Sequence, residues 1–185
     1  MFFFSENNTD LTFKPISLEC AYLLILQNDL EGASKIFRTI DSPRGKWGQL
    51  LIEILNGYTE VVPTYFAIRN FLEIDLDFLL KNNKINYVEQ LLGAIDFFAE
   101  INQESYKFVA RVMYENKLYN AAKKYLDKSK NVFYKDPELH FMYAKYFINS
   151  REYTYANYHI DECLKILPDY YPAKKLKTEI CEYLR

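Results

Sequence analysis

From Ser17 onward, apolar residues recur at helical spacing in segments separated by short polar breaks. Between Ser17 and Gln27, Cys20, Ala21, Leu24 and Ile25 fall on one face of a predicted helix. After Asn28-Asp29, a second helix carries Leu30, Ala33, Phe37 and Ile40, with Asp29 placed as its N-cap and Asp41-Ser42-Pro43-Arg44-Gly45 as stop and turn. Residues 15–42 thus read as a helical hairpin. A third helix, about 46–56, carries Trp47, Leu50, Leu51, Ile54 and Leu55 and ends near Gly57. Pro63 suits a first helical turn, and the apolar run from Tyr65 to Leu80 gives either one helix over 63–81 or two that meet near Glu73 to Asp75. Tyr87, Val88, Leu91, Leu92, Ile95 and Phe98 mark a helix of about 85–100.

The pattern is most regular from Ser105 to Asp169, which superimposes on itself with a shift of 34 residues: Ala110 falls on Ala144, Tyr119 on Tyr153, Ala122 on Ala156, Leu126 on Ile160 and Ser129 on Cys163. A fixed period of this kind predicts stacked helical hairpins, each needing its neighbours to bury its apolar face. The hairpins are 103–116 with 118–133 and 137–150 with 152–167, forming units 103–134 and 137–168. Asp136, Pro137 and Glu138 combine a capping side chain, a first-turn proline and an acid near the positive end of the helix dipole. A last helix, within 171–185, has Leu176, Ile180 and Leu184 on one face and a polar remainder, suited to closing the stack. Residues 1–14 have no helical period. They carry Phe2, Phe3, Phe4 and Phe13, and read as either a leader or an arm lying on this chain or on a second subunit.

These residues resemble the tetratricopeptide repeat (TPR) family. On 137–170 the family's pattern falls on His140, Tyr143, Ala144, Tyr153, Ala156, Ile160, Cys163 and Pro168. On 103–136 it falls on Tyr106, Val109, Ala110, Tyr119, Ala122, Leu126 and Ser129, with Tyr134 where the proline belongs. On 14–47 it falls on Cys20, Ala21, Leu24, Leu30, Ala33, Phe37 and Ile40. Small residues recur where helices cross, because axes approach to about 8–10 Å only where side chains are short. The glycine common between paired helices is replaced by Asn28, Lys117 and Arg151. The resemblance implies an all-α domain over 1–185: a right-handed superhelix of antiparallel hairpins, a TPR-like solenoid, with an irregular middle unit over 46–100 and a C-terminal capping helix. Ala33 and Ala122 are 89 residues apart, thirteen short of three periods, so the middle is expected to lack about one helix.

With 23 Lys and Arg against 25 Asp and Glu, there is no basic field to attract nucleic acid. No run approaches 18 uninterrupted apolar residues, so membrane insertion is not expected. Cys20, Cys163 and Cys181 are odd in number and widely spaced, which together with the lack of a signal-peptide pattern suggests a reducing, cytoplasmic location. His159 and Cys163 stand four apart on one helix face, with His140 in the preceding helix. The spacing could hold a metal or pair a nucleophile with a base, but zinc needs about four ligands and Cys163 sits at a core position of the repeat. Packing is the reading adopted, and no metal, cofactor or catalytic group is assigned. Asp75 with Asp77, and Asp161 with Glu162, read as solvated helix faces.

The resemblance also implies a concave groove lined by the first helix of each pair. Its inward positions fall on Lys107, Phe108, Arg111 and Tyr114, then on Phe141, Lys145, Ile148 and Asn149, with Tyr22 and Ile25 in the first unit. Cations mixed with aromatics suit an extended acidic or aromatic peptide. The family's carboxylate clamp is disfavoured, because Arg111 and Met142 stand where asparagines are needed. The expectation is a non-enzymatic scaffold or adaptor that binds a segment of another protein. The alternatives are a secretion-chaperone-like or self-assembling subunit, dimeric through the Phe-rich arm, and an enzyme or metal protein using His159 and Cys163.

Overall fold

Four turns between helices share one unusual backbone conformation. Asn28, Asn83, Lys117 and Arg151 all have φ between 55° and 64°, the left-handed region that favours glycine. At each, the next amide reaches back five residues to a carbonyl: Asp29 to Leu24, Lys84 to Leu79, Leu118 to Met113 and Glu152 to Phe147, at 2.8–2.9 Å. These bonds satisfy carbonyls that the helix ends would leave bare. The missing glycines therefore do not alter the turn.

The computed structural model describes residues 17–183. Among them are eleven helices and no strand: α1 Leu18–Leu26, α2 Leu30–Thr39, α3 Pro43–Leu55, α4 Tyr65–Lys81, α5 Ile85–Gly93, α6 Ile95–Ile101, α7 Ser105–Glu115, α8 Tyr119–Val132, α9 Pro137–Asn149, α10 Tyr153–Ile166 and α11 Tyr171–Tyr183. Residues 1–14, where an arm was expected, and Leu184 lie outside the described residues. Ser17, Asp29, Ser42, Thr64 and Asp136 each accept an amide hydrogen bond as N-caps of α1, α2, α3, α4 and α9.

Two boundaries differ from the sequence reading, and one open alternative is resolved. Pro43-Arg44-Gly45 is the first turn of α3 rather than a loop, because Ser42 caps that helix and proline occupies its first position. The 63–81 stretch is one helix, α4, with Ile68, Leu72, Leu76 and Leu79 fully buried along one stripe. The expected 85–100 helix is two, broken at Gly93-Ala94.

The middle of the chain is also more periodic than it reads. Asn83, Lys117 and Arg151 are spaced by 34, as are the helix starts Ile85, Tyr119 and Tyr153. The irregularity lies upstream, where Asn28 and Asn83 are 55 residues apart, 21 more than one period. That excess matches α3 together with the helix-free stretch 56–64. The count from Ala33 to Ala122 is thus two periods with a helix inserted, not three periods with a helix missing.

The helices α1, α4, α7 and α9 form one row. Tyr22 meets Asp75 and Phe78, Glu73 meets Arg111, and Arg111 meets Glu138. Each of α2, α3, α5, α8 and α10 packs on a member of that row. One apolar cluster runs from Ala21 in α1 to Tyr143 in α9, and a smaller one joins Ala144, Ala156, Ile160 and Cys163 to Ala173 and Ile180 of α11.

Candidate functional site

Along the row, α7 and α9 are locked together by charge. Lys107 is only 2% exposed. Its ammonium lies 2.9 Å from Glu104 and 3.0 Å from Glu138 and also bridges to Asp136. Burial opposes this charge, but the hydrogen bonds to Asp136 and Glu104 outweigh it and hold the lysine well above its ordinary range. Asp136 has a second duty, since its other oxygen caps α9 through the amides of Glu138 and Leu139. Arg111 is clamped between Glu73, 2.9 Å away, and Glu138. Glu73 is pushed up by burial, eased by Arg111 and raised again by Glu138 and Glu115.

Lys107 and Arg111 therefore do not stand free for an acidic peptide. Their charge is already met by Glu73, Glu104, Asp136 and Glu138. Phe108 belongs to the core, 5% exposed, because Val109, Val112 and Met113 of α7 turn the same way. In the first unit Ile25 is fully buried and Tyr22 donates its hydroxyl to Asp75 at 2.9 Å. Ile148 packs beside the smaller apolar cluster, and Asn149 is exposed at the last position of α9.

Four of the expected residues do meet. Arg111, Tyr114, Phe141 and Lys145, with Glu115, Glu138, Met142 and Tyr170, line a cavity of about 90 Å³ between α7, α9 and the start of α11. The Tyr114 hydroxyl donates to the Lys145 carbonyl at 3.1 Å, and the Lys145 ammonium lies 4.8 Å from the Tyr114 ring centre. Phe141 and Tyr170 meet edge to face at 5.4 Å. The walls are aromatic and the rim carries both signs of charge.

Two buried polar clusters lie elsewhere. Asp75 is fully buried and accepts from Tyr22, from Arg44 at 2.6 Å and from the Trp47 indole at 2.5 Å. Burial raises its carboxyl, and Arg44 and the donated hydrogen bonds pull it back. Its assignment to a solvated face is corrected: Asp75 lies on the stripe of Ile68, Leu72, Leu76 and Leu79, and that spacing was the signal for it.

The second cluster contains both histidines. His140 Nε2 donates to the Tyr134 carbonyl at 3.1 Å, because a carbonyl oxygen only accepts. Its Nδ1, 3.0 Å from Nδ1 of His159, then accepts when the ring is neutral, and His159 is the donor. His159 also stacks on Tyr143 and Phe147. Burial, reinforced by His140 and Lys130, pushes His159 down to about 4, and burial lowers His140 too. Cys163 is fully buried, and burial pushes its thiol up to about 11, which keeps it in the unreactive protonated form. Among the described residues no three His, Cys, Asp or Glu gather in a metal-holding arrangement, and no helix is long and apolar enough to cross a membrane.

The chain matches no family model, no curated protein and no solved structure.

Proposed function

We propose that this chain is a TPR-like solenoid that works as a non-enzymatic scaffold, holding a segment of another protein along the row α4, α7 and α9. The observation that carries this reading is the open aromatic cavity of Arg111, Tyr114, Phe141, Met142, Lys145 and Tyr170 on that row. Because Arg111 and Lys107 are neutralised from within, the bound segment is held by an aromatic or aliphatic side chain in the cavity, with Lys145 as an outlying polar contact. The 34-residue spacing of three turns and three helix starts supports the repeat architecture. The buried thiol of Cys163 and the exposed thiol of Cys181 favour the cytoplasm.

Affinity capture from the native cell tests this. Lys145→Glu combined with Tyr170→Ser is expected to lose the captured protein while keeping the far-ultraviolet helical signal; undiminished capture sinks the groove assignment. Self-assembly is the second reading, favoured by Phe133, Tyr155 and Tyr158, which are each about half exposed on α10 and the segment before α9. The mass in solution separates the two.

A further inference from the structure

A cavity that the groove does not use lies where α3 and α4 begin and measures about 420 Å³. Its floor belongs to the core, since Trp47 and Leu50 line it and are each only 2% exposed. Pro43, Pro63 and Ala67 complete the apolar wall, and Val61 and Val62 stand exposed at the mouth. The tryptophan is fixed from behind: its indole donates to Asp75 at 2.5 Å, and its ring lies 6.0 Å from Phe71 and 5.7 Å from Phe98. A hollow of the same volume beside Leu18, Tyr22, Leu23 and Phe78 is more apolar. None of its lining residues is buried, however, and its one charged group is the Glu19 carboxylate. That hollow has a surface but no floor.

The polar groups around the floored cavity are mostly donors. The Ser42 and Thr64 hydroxyls accept from the Gly45 and Ala67 amides, and a hydroxyl that accepts keeps its own hydrogen to give. Neither hydrogen has an acceptor among the described residues, and Lys46, exposed on the same lining, has no ion-pair partner there. Asp41 is the single carboxylate of the lining. Apolar walls with a few polar groups at the rim are the make-up of small-molecule sites, and the volume falls within their range of about 300–1,000 Å³. We propose that this cavity binds a small monocarboxylate with an apolar body, the body against Trp47 and Leu50 and the carboxylate at the rim of Lys46, Ser42 and Thr64. A carboxylate only accepts hydrogen bonds, so it suits a rim with three donors, and the Lys46 ammonium makes one of those bonds charge-assisted. An amine head would meet the Lys46 charge and find only Asp41 to accept from it. The sign of the head group is therefore what the rim reads.

Trp47 is the one tryptophan of the chain, so its fluorescence reports on this cavity directly. Octanoate titrated into the full-length chain is expected to change that fluorescence saturably and to bind about tenfold more tightly than octylamine, which has the same chain length. Lys46→Glu should weaken octanoate by about tenfold through loss of a charge-assisted hydrogen bond, and Asp41→Asn should tighten it. Val62→Asp, at a 67% exposed position, should also weaken octanoate without changing the helical signal. Leu23→Asp, in the hollow beside α1, should leave the titration as it is. The absence of a saturable change overturns the proposal, and so do equal affinities for octanoate and octylamine. Octanoate binding undiminished by Lys46→Glu overturns it too, as does a response abolished by Leu23→Asp, which would move the ligand to the other hollow.

Discussion

Asp75 is the residue on which three helices depend, and its chemistry sets the size of the effect of removing it. Asp75→Ala would leave the Arg44 guanidinium, the Trp47 N–H and the Tyr22 hydroxyl without their acceptor in a buried site. Breaking a buried pair by removing one partner costs about 3–5 kcal/mol, and a urea titration should show a loss of that order. The histidine pair gives a pH signature instead. In the unfolded chain both rings titrate at about 6.5, whereas burial depresses both in the fold, reinforced at His159 by His140. Their neutral contact is therefore fully present above that pH and is lost as pH falls from 6.5 towards 4, because the unfolded chain takes up protons first. Stability should fall over that window by up to about 1.4 kcal/mol per pH unit through His159, with His140 acting in the same direction. His159→Phe keeps the stack on Tyr143 and Phe147 and removes the proton acceptor, so its pH profile should be flatter than that of the unaltered chain.

At the scale of elements, α3 lies close against α2, and glycine permits it. A Cβ on Gly48 would lie 2.2 Å from the Phe37 ring. Phe37 is fully buried and cannot swing aside, so Gly48→Ala should destabilise by about 1–3 kcal/mol through overpacking, measured by thermal unfolding. The same element shows where the sequence stops being legible. The alanine pairs Ala110 with Ala144 and Ala122 with Ala156 declare their hairpins because only short side chains fit at the crossings. One period upstream these places hold Leu76 and Val88, so the unit α4–α5 keeps the spacing but hides the composition. Helix α3 has an ordinary amphipathic pattern, and nothing in that pattern marks it as additional; the 55-residue gap between turns does. Of the expected groove residues on α7 and α9, Arg111, Tyr114, Phe141 and Lys145 line one cavity, but the internal pairing of Lys107 and Arg111 was not legible. Glu73 lies 38 residues from Arg111 in the chain, and Asp136 lies 29 from Lys107, beyond any local pattern.

Over the whole molecule, apolar burial is uneven. The larger cluster ties α1 through α9, whereas α10 and α11 rest on the small cluster of Ala144, Ala156, Ile160, Cys163, Ala173 and Ile180. A row of helices held mainly by its neighbours opens from its weaker end. Native-state hydrogen exchange should show α11 opening first, then α10, with α4 and α7 the most protected; uniform protection across α4 to α11 would contradict a graded array. The inserted helix α3 has a different consequence, one of parity. Hairpin units reverse the chain an even number of times, so each unit begins where the last began. A single additional helix leaves the chain at the wrong end, and residues 56–64 return it, which is why α3 and α4 can start side by side around one cavity. That return is the price of an odd helix count, and it makes the cavity a product of topology rather than of any one residue.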